Sequence, residues 1–441
     1  MTLRVSHALL PLLLAGPALA QTAPSRTARE VDTRTGQVLP QVIAWRRDIH
    51  QHPELSNREM RTAKLVADEL TRLGLEVRTG VAHTGVVGIL RGGRPGGVVA
   101  LRADMDALPV TEQVDLPFKS VVKTEYNGQQ VGVMHACGHD NHVAILLGAA
   151  SVLAGMKAEI PGTIKFIFQP AEEGAPAGED GGASLMVKEG VLNDPAPGAI
   201  FGLHVWPETV GSISYRPGPF MAAADGLNIV VRGKQTHGAV PWGGVDPIVV
   251  TSQIVLGLQT IASRQIDVTK VPAIITVGSI HGGNRGNIIP DSVVMQGTVR
   301  TYDEAMRKDI QQRIRRTVEE IARSAGATAT AEFITPNYPV TVNDPALTER
   351  MLPTLRRVVG DGHLLLAGLQ TPSEDFSYYQ QKIPGLFIYL GIVPAGTDPS
   401  SAPRNHSPSF FADEAALPLG VRALANLALD WLSQNSGKPV P

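Results

Sequence analysis

Leu227-Asn228-Ile229-Val230-Val231-Arg232 opens the stretch on which the architecture of the whole chain turns. Behind this β-rich hexamer, apolar residues recur at three- and four-residue intervals and predict a helix over Asp246–Arg264. Two β-rich runs, Ala273–Ile280 and Val293–Thr301, lead into a second helical pattern over Asp303–Ala325. The order strand, helix, two strands, helix, strand is that of a ferredoxin-like α+β sandwich. Residues 221–335 are therefore expected to form a compact unit of their own, of a size suited to an insertion.

The flanks read differently. Amphipathic helices are predicted over Leu39–His50 and Glu59–Leu73, the second ended by Gly74. Short β-rich runs follow at Gly85–Leu90, Val98–Ala103, Thr163–Phe168 and Ala199–Val205, with a helix over His142–Leu153 between them. Mixed α/β character resumes after Val340 and ends in a long helix over Asp413–Leu432. Residues 38–220 and 336–434 are thus expected to make one discontinuous α/β domain, a sheet covered by helices, with order beginning near Val38 after a polar leader.

At the N-terminus, Arg4 and His7 precede the apolar run Ala8–Ala20, which closes on Ala18-Leu19-Ala20. This is the form of a cleaved signal sequence over residues 1–20, so the mature protein is expected in the periplasm or the medium. No stretch after residue 20 reads as a bilayer span. Lys and Arg number 39 against 41 Asp and Glu, a balance that provides no field for holding nucleic acid or an anionic membrane. The chain has one cysteine, Cys137, which therefore has no intramolecular disulfide partner.

That cysteine lies in Met134-His135-Ala136-Cys137-Gly138-His139-Asp140-Asn141-His142, one thiol and three imidazoles immediately before a helix. Cys137 and His139, two apart on a glycine-containing turn, suit Zn²⁺ and related ions. Phe168-Gln169-Pro170-Ala171-Glu172-Glu173-Gly174 places two adjacent carboxylates at a strand end. Neighbouring residues point in different directions, so one carboxylate can ligate while the other acts as a base. His204 in Gly202-Leu203-His204-Val205-Trp206-Pro207 and His406 in Asn405-His406-Ser407-Pro408 add imidazoles. Each motif alone has a plain alternative: a packed cysteine, a solvated acid pair, a core or loop histidine. Four separated segments that each supply a ligand type favour a shared metal centre.

Together with RRDIHQHPELS, LRADMDALPV, THGAVPW, GNIIPDSV and SEDFSYY, these motifs resemble the aminoacylase and carboxypeptidase-G class of co-catalytic metallopeptidases. Within it they are similar to the branch of N-acyl-amino-acid amidohydrolases, hippurate hydrolases and auxin-conjugate hydrolases, in order from Val38 to Leu432. The resemblance implies a zinc-peptidase-like catalytic domain and a satellite domain that forms a homodimer. By motif position it implies Cys137, His139, Glu173, His204 and His406 as ligands of two divalent ions, drawn from Zn²⁺, Mn²⁺, Co²⁺ or Ni²⁺. It implies Glu172 as general base, His237 as an oxyanion-stabilising group reaching a second subunit, and Asn287 and Arg300 as substrate-binding groups. Related branches carry a ligating histidine where Asp104 stands, which puts a metal role for Asp104 in doubt; Asp106 is expected to orient a ligand imidazole.

The expected reaction is hydrolysis of the amide bond of a small N-acyl amino acid. The alternatives are a metallo-exopeptidase, a carboxypeptidase or dipeptidase, and a metal-holding binding protein without activity. The spare carboxylate of the Glu172–Glu173 pair argues against the last, because binding alone needs no base. No Gly-x-Ser-x-Gly elbow supports a serine hydrolase.

Overall fold

The computed structural model describes residues 25–436, so the stretch read as a signal sequence lies outside the described residues. The chain enters on helix α1, Arg26–Gln51, capped by Ser25, whose hydroxyl accepts the Ala28 N–H at 3.1 Å. Order therefore begins well before Val38, which corrects the expectation of a polar leader. Ala28, Val31, Thr35, Val42, Trp45 and Ile49 fall at helical spacing and are buried. Most of the polar residues between them form the solvent face of an amphipathic helix, but Arg46 is buried against Asp140.

Helix α2 (Met60–Arg72) and strands β1 (Glu76–Val81), β2 (Gly85–Arg91) and β3 (Arg94–Asp104) follow. After them come α3 (His139–Ala154), β4 (Pro161–Gln169), β5 (Ala199–Thr209) and β6 (Ile213–Tyr215). β3 runs parallel to both β4 and β5, so the three end on the same edge of the sheet.

The next segment comprises β7 (Ala223–Arg232), α4 (Pro247–Thr260), β8 (Ala273–His281), β9 (Ser292–Thr301), α5 (Glu304–Ser324) and β10 (Thr328–Tyr338). Its four strands form an antiparallel sheet in the order β8-β9-β7-β10, the ferredoxin-like arrangement. Both helices start where capping chemistry directs. Asp246 accepts the N–H groups of Ile248 and Val249 with Pro247 in the first turn, and Asp303 accepts that of Met306. Leu227, Ile229 and Val231 of β7 pack with Ile254, Leu258, Ile310, Ile314 and Val318 into a core separate from that of the flanking sheet.

The chain then returns through α6 (Pro345–Val359), β11 (Leu364–Leu366), β12 (Gly385–Val393) and α7 (Leu417–Gln434). β11 and β12 complete an eight-stranded mixed sheet in the order β1-β2-β4-β3-β5-β12-β6-β11. The stretch Glu414–Gln434 is, by length and composition, apolar enough to cross a membrane, which the sequence reading missed. Its side chains Leu424, Leu427 and Ala428 are instead buried in the core with Val42 and Ile49 of α1 and Ile145 and Leu146 of α3. Apolarity all round is what a helix covered on every side requires.

Candidate metal centre

The centre is built on the shared edge of β3, β4 and β5, where open α/β sheets place their clefts. Gly138, the N-cap of α3, has φ +86°, a conformation that side chains disfavour. A Cβ there would stand 2.4 Å from Val205 Cγ2. With glycine in place the turn closes tightly, and the ligand atoms of Cys137 and His139 lie within 4.8 Å of each other and of His204 at the end of β5. Asp140 anchors the first turn of α3 from behind, through Arg46 at 2.8 Å and His50 at 2.9 Å.

The turn after β4 carries Glu172 and Glu173. A second set of ligand atoms within 4.8 Å of one another comprises Cys137, Glu173 and His406, and a third comprises His139, Glu172 and Glu173. His406 arrives on a loop of the return segment, its backbone N–H donated to Ala136 O at 2.8 Å and its Nε2 3.1 Å from Glu173 Oε1. Cys137 Sγ is 3.3 Å from His204 Nε2. The five ligand positions read from the sequence are thus brought together, with Glu172 beside them.

These residues fit a cation. Both ring nitrogens of His139 and Glu173 Oε1 are buried with no well-aligned hydrogen bond, and their near neighbours are other ligand-type atoms: Asp106 Oδ1 3.3 Å from His139 Nδ1 and His406 Nε2 3.1 Å from Glu173 Oε1. Against the lowering effect of burial, the charges of Asp104 and Asp106 push His139 up to about 10, so this nest of acids favours positive charge at that position. Burial, with the charges of Glu173 and Glu172, pushes the Cys137 thiol well up. A bound cation would reverse that direction. His204 is held far below its ordinary value by burial and by His142, and stays a neutral donor.

Asp104 and Asp106 both face His139, and Asp104, His139 and His142 form a further group of ligand atoms within 4.8 Å of one another. Asp104 Oδ2 accepts from Arg102 at 2.6 Å and Oδ1 faces His142 Nδ1 at 2.5 Å. His142 in turn accepts the Val205 N–H on Nε2 at 2.9 Å and stacks on His139 with ring centroids 5.3 Å apart. Asp106 Oδ1 lies 3.3 Å from His139 Nδ1, where it can orient the ring. The same carboxylate accepts the backbone N–H groups of Glu172 and Glu173, each at 3.0 Å, and the Ser56 hydroxyl at 2.7 Å.

Several groups at the site were not assigned a part from the sequence. The Tyr338 hydroxyl, at the end of β10, donates to the Glu172 carbonyl at 2.5 Å and ties the inserted unit to the catalytic turn. Glu374 and Asp375 stand within 4.8 Å of the Glu172 carboxylate. Burial pushes Glu374 up to about 8 and Asp375 to about 6, despite the Arg102 guanidinium between them. Burial and the charges of Glu374 and Glu173 push Glu172 well above the usual carboxylate range. The signal for Glu374 and Asp375 was the SEDFSYY motif, quoted for the resemblance but given no chemistry.

The substrate-side residues divide. Arg300, on β9, donates to Ser373 Oγ at 2.9 Å, one residue before Glu374. His237 and Asn287 line a separate cleft of about 430 Å³ with Gln235, Thr236, Arg285 and Ile288, none of which belongs to the ligand cluster. His237 Nδ1 accepts the Ala239 N–H at 2.9 Å, so the neutral ring carries its proton on the outward Nε2.

The chain is similar to known proteins over most of its length. Over 397 residues the chain is 44% identical to "Thermostable carboxypeptidase 2" of Saccharolobus solfataricus, covering 88% of this chain and 95% of that one. It is 39% identical over 391 residues to the "N-acetylcysteine deacetylase" of Bacillus subtilis, covering 88% and 96%. The structure superposes on that of the Bacillus subtilis YXEP protein, a dinuclear metal-binding peptidase of the M20 family, with a TM-score of 0.74, 36% identity and coverage of 90% and 99%. The model of peptidase family M20/M25/M40 matches residues 100–430. With that match spanning the catalytic edge and the insertion alike, the chain belongs to peptidase family M20/M25/M40 and is a metal-dependent hydrolase.

Proposed function

We propose that the chain hydrolyses the amide bond of N-acyl amino acids of the hippurate type, using two divalent ions held by Cys137, His139, Glu173, His204 and His406. The observation that carries this reading is a surplus carboxylate: the Glu172 side chain lies 3.9 Å from His139 Nε2, beside the ligand set, while the contacts that shape its turn use its backbone N–H and carbonyl. Bound ions would supply Lewis-acid polarisation of the amide carbonyl and of water. Glu172 takes a proton from the attacking water and delivers it to the departing amine. Arg300, tethered at Ser373, has the planar fork that grips an α-carboxylate, which suits an amino-acid leaving group.

The similarity to a carboxypeptidase keeps exopeptidase activity as a second reading. Both readings place a free carboxylate on the leaving side, so acyl-side preference decides between them. Purified protein supplied with Zn²⁺, Mn²⁺ or Co²⁺ is expected to turn over hippurate and N-acetyl amino acids with higher kcat/KM than dipeptides. Arg300→Ala is expected to raise KM on these substrates by about tenfold or more, a loss of roughly 1.5–3 kcal/mol for a charge-assisted bond, while the corresponding carboxamides are unaffected. Preference for dipeptides would establish the exopeptidase reading instead.

A homodimer through the inserted unit is part of the proposal, as is export. Ile248, Val249 and Leu256 of α4 are exposed, and so are Ile274 and Ile280 of β8, an edge strand with one side unpaired. Such a face is a ready site for a second copy. It would carry the outward Nε2–H of His237 toward the other subunit's centre, where it can donate to a developing oxyanion. Val249→Glu with Leu256→Glu is expected to sediment as a monomer, bind metal normally and lose at least a hundredfold in kcat, roughly what one oxyanion donor contributes. A dimeric, active double variant would refute this interface. Recovery of mature protein starting near Gln21 from a periplasmic or culture fraction tests export.

A further inference from the structure

Glu59 is wholly buried, carries a carboxylate, and stands in no ligand set of the centre. It opens α2, and its side chain turns away from the helix. Oε1 accepts the backbone N–H of Ala171 at 2.9 Å, and Oε2 accepts the Thr84 hydroxyl at 2.6 Å. Ala171 is the residue before the catalytic pair, and its φ of +52° is a left-handed conformation that a residue with a Cβ adopts only when its surroundings impose it. The next two N–H groups, of Glu172 and Glu173, are both taken by Asp106. Three successive amides of one turn are thus held by two carboxylates, and Glu59 holds the one whose backbone is strained.

We infer that Glu59 is a positioning residue for Glu172: by fixing Ala171 in the left-handed conformation, it sets the direction in which the Glu172 side chain leaves the turn. This rests on the reading of Glu172 as the base. It assigns to Glu59 reach rather than charge. What matters is an acceptor oxygen at the Ala171 N–H, and Asp106 alone suffices to place Glu173, so ligand placement survives when Glu59 is altered. A small misplacement of a reacting group is enough for a large loss of rate.

Reach and charge are separable by two substitutions. Glu59→Gln keeps an oxygen acceptor at the same distance and cannot ionise; Glu59→Asp stays ionisable and withdraws the oxygens by one methylene. The expected result, on whichever N-acyl amino acid the wild type turns over, is kcat within about threefold of wild type for Glu59→Gln and a drop of about tenfold to a hundredfold for Glu59→Asp. KM and the metal-to-protein ratio are expected to stay unchanged in both. The reverse order, equal rates, or a loss that tracks metal content would overturn the inference. A merely structural role would move thermal stability and metal content along with rate. A crystal structure of Glu59→Asp gives an answer that needs no turnover: Ala171 is expected to leave the left-handed region, and an unaltered turn over residues 169–174 refutes the positioning role. If the wild type hydrolyses no amide at all, the proposed function fails, while this crystallographic test still decides for or against Glu59.

Discussion

Glu172→Gln is expected to keep both metal ions and lose about three orders of magnitude in kcat, the middle of the range for general acid–base catalysis. The substitution is nearly isosteric, and the contacts that shape the turn run through backbone atoms: the Glu172 N–H to Asp106, and the Glu172 carbonyl to Tyr338. Neither depends on the side chain, so the fold and the ligand set should be undisturbed. Removing one of three clustered acids, Glu172, Glu374 and Asp375, relieves repulsion and should leave stability equal or improved. Metal content by atomic emission, with kcat and KM measured on the same preparation, separates the outcomes. Unchanged KM with a collapsed kcat marks an interaction made only in the transition state. Turnover within tenfold of wild type, at full metal occupancy, would remove Glu172 from the role of base.

How much of this was legible beforehand follows the range of the interactions involved. Cys137 and His139 are two residues apart and Glu172 and Glu173 are adjacent, so their chemistry is written in short motifs. The inserted unit is legible too, because its strands and helices each bury one face and their apolar periods survive in the sequence; Asp246 and Asp303, expected as the first helical residues, are the N-caps of α4 and α5. The start of α1 is hidden by composition: its first turns are mostly polar and charged, and only the spacing of the buried Ala28, Val31 and Thr35 marks the helix. Glu59 was legible only as the first residue of a helix, and its bond to Ala171 joins residues 112 apart. Tyr338 reaches Glu172 across 166 residues. Nothing local distinguishes such a tyrosine or glutamate from its neighbours, and the partner exists only once the sheet edge has assembled. His237 shows the opposite limit: its motif is readable, but within the single chain it lines a cleft separate from the ligand cluster.

Arg102 is the residue on which the buried acids depend, and Arg102→Met is expected to cost about 3–5 kcal/mol of stability, the range for stranding one side of a buried ion pair. The guanidinium is fully enclosed and donates to Asp104 at 2.6 Å, Asp375 at 2.9 Å and Gln169 at 2.9 Å, and it lies 2.9 Å from Glu374. Methionine fills similar volume without charge, so packing is largely kept and the effect is electrostatic. The direction with pH follows from the shifts already present. Glu374 and Asp375 are acids whose folded values, about 8 and about 6, exceed their ordinary ones, so above pH 4–5 the unfolded chain binds fewer protons there than the folded one. Stability from these two groups therefore falls as pH rises, until each ionises in the folded state. Without the arginine their folded values rise further, the window widens, and the deficit of the variant should be greater at pH 8 than at pH 5. Urea unfolding of metal-free protein at the two pH values measures it. Adding Asp375→Asn to Arg102→Met should recover part of the loss, since one stranded charge is then gone, although the amide forfeits one acceptor for Gln169 and Ala183. A single variant within 1 kcal/mol of wild type at both pH values would mean that the acids are neutral in the folded protein and that Arg102 holds no anionic network together.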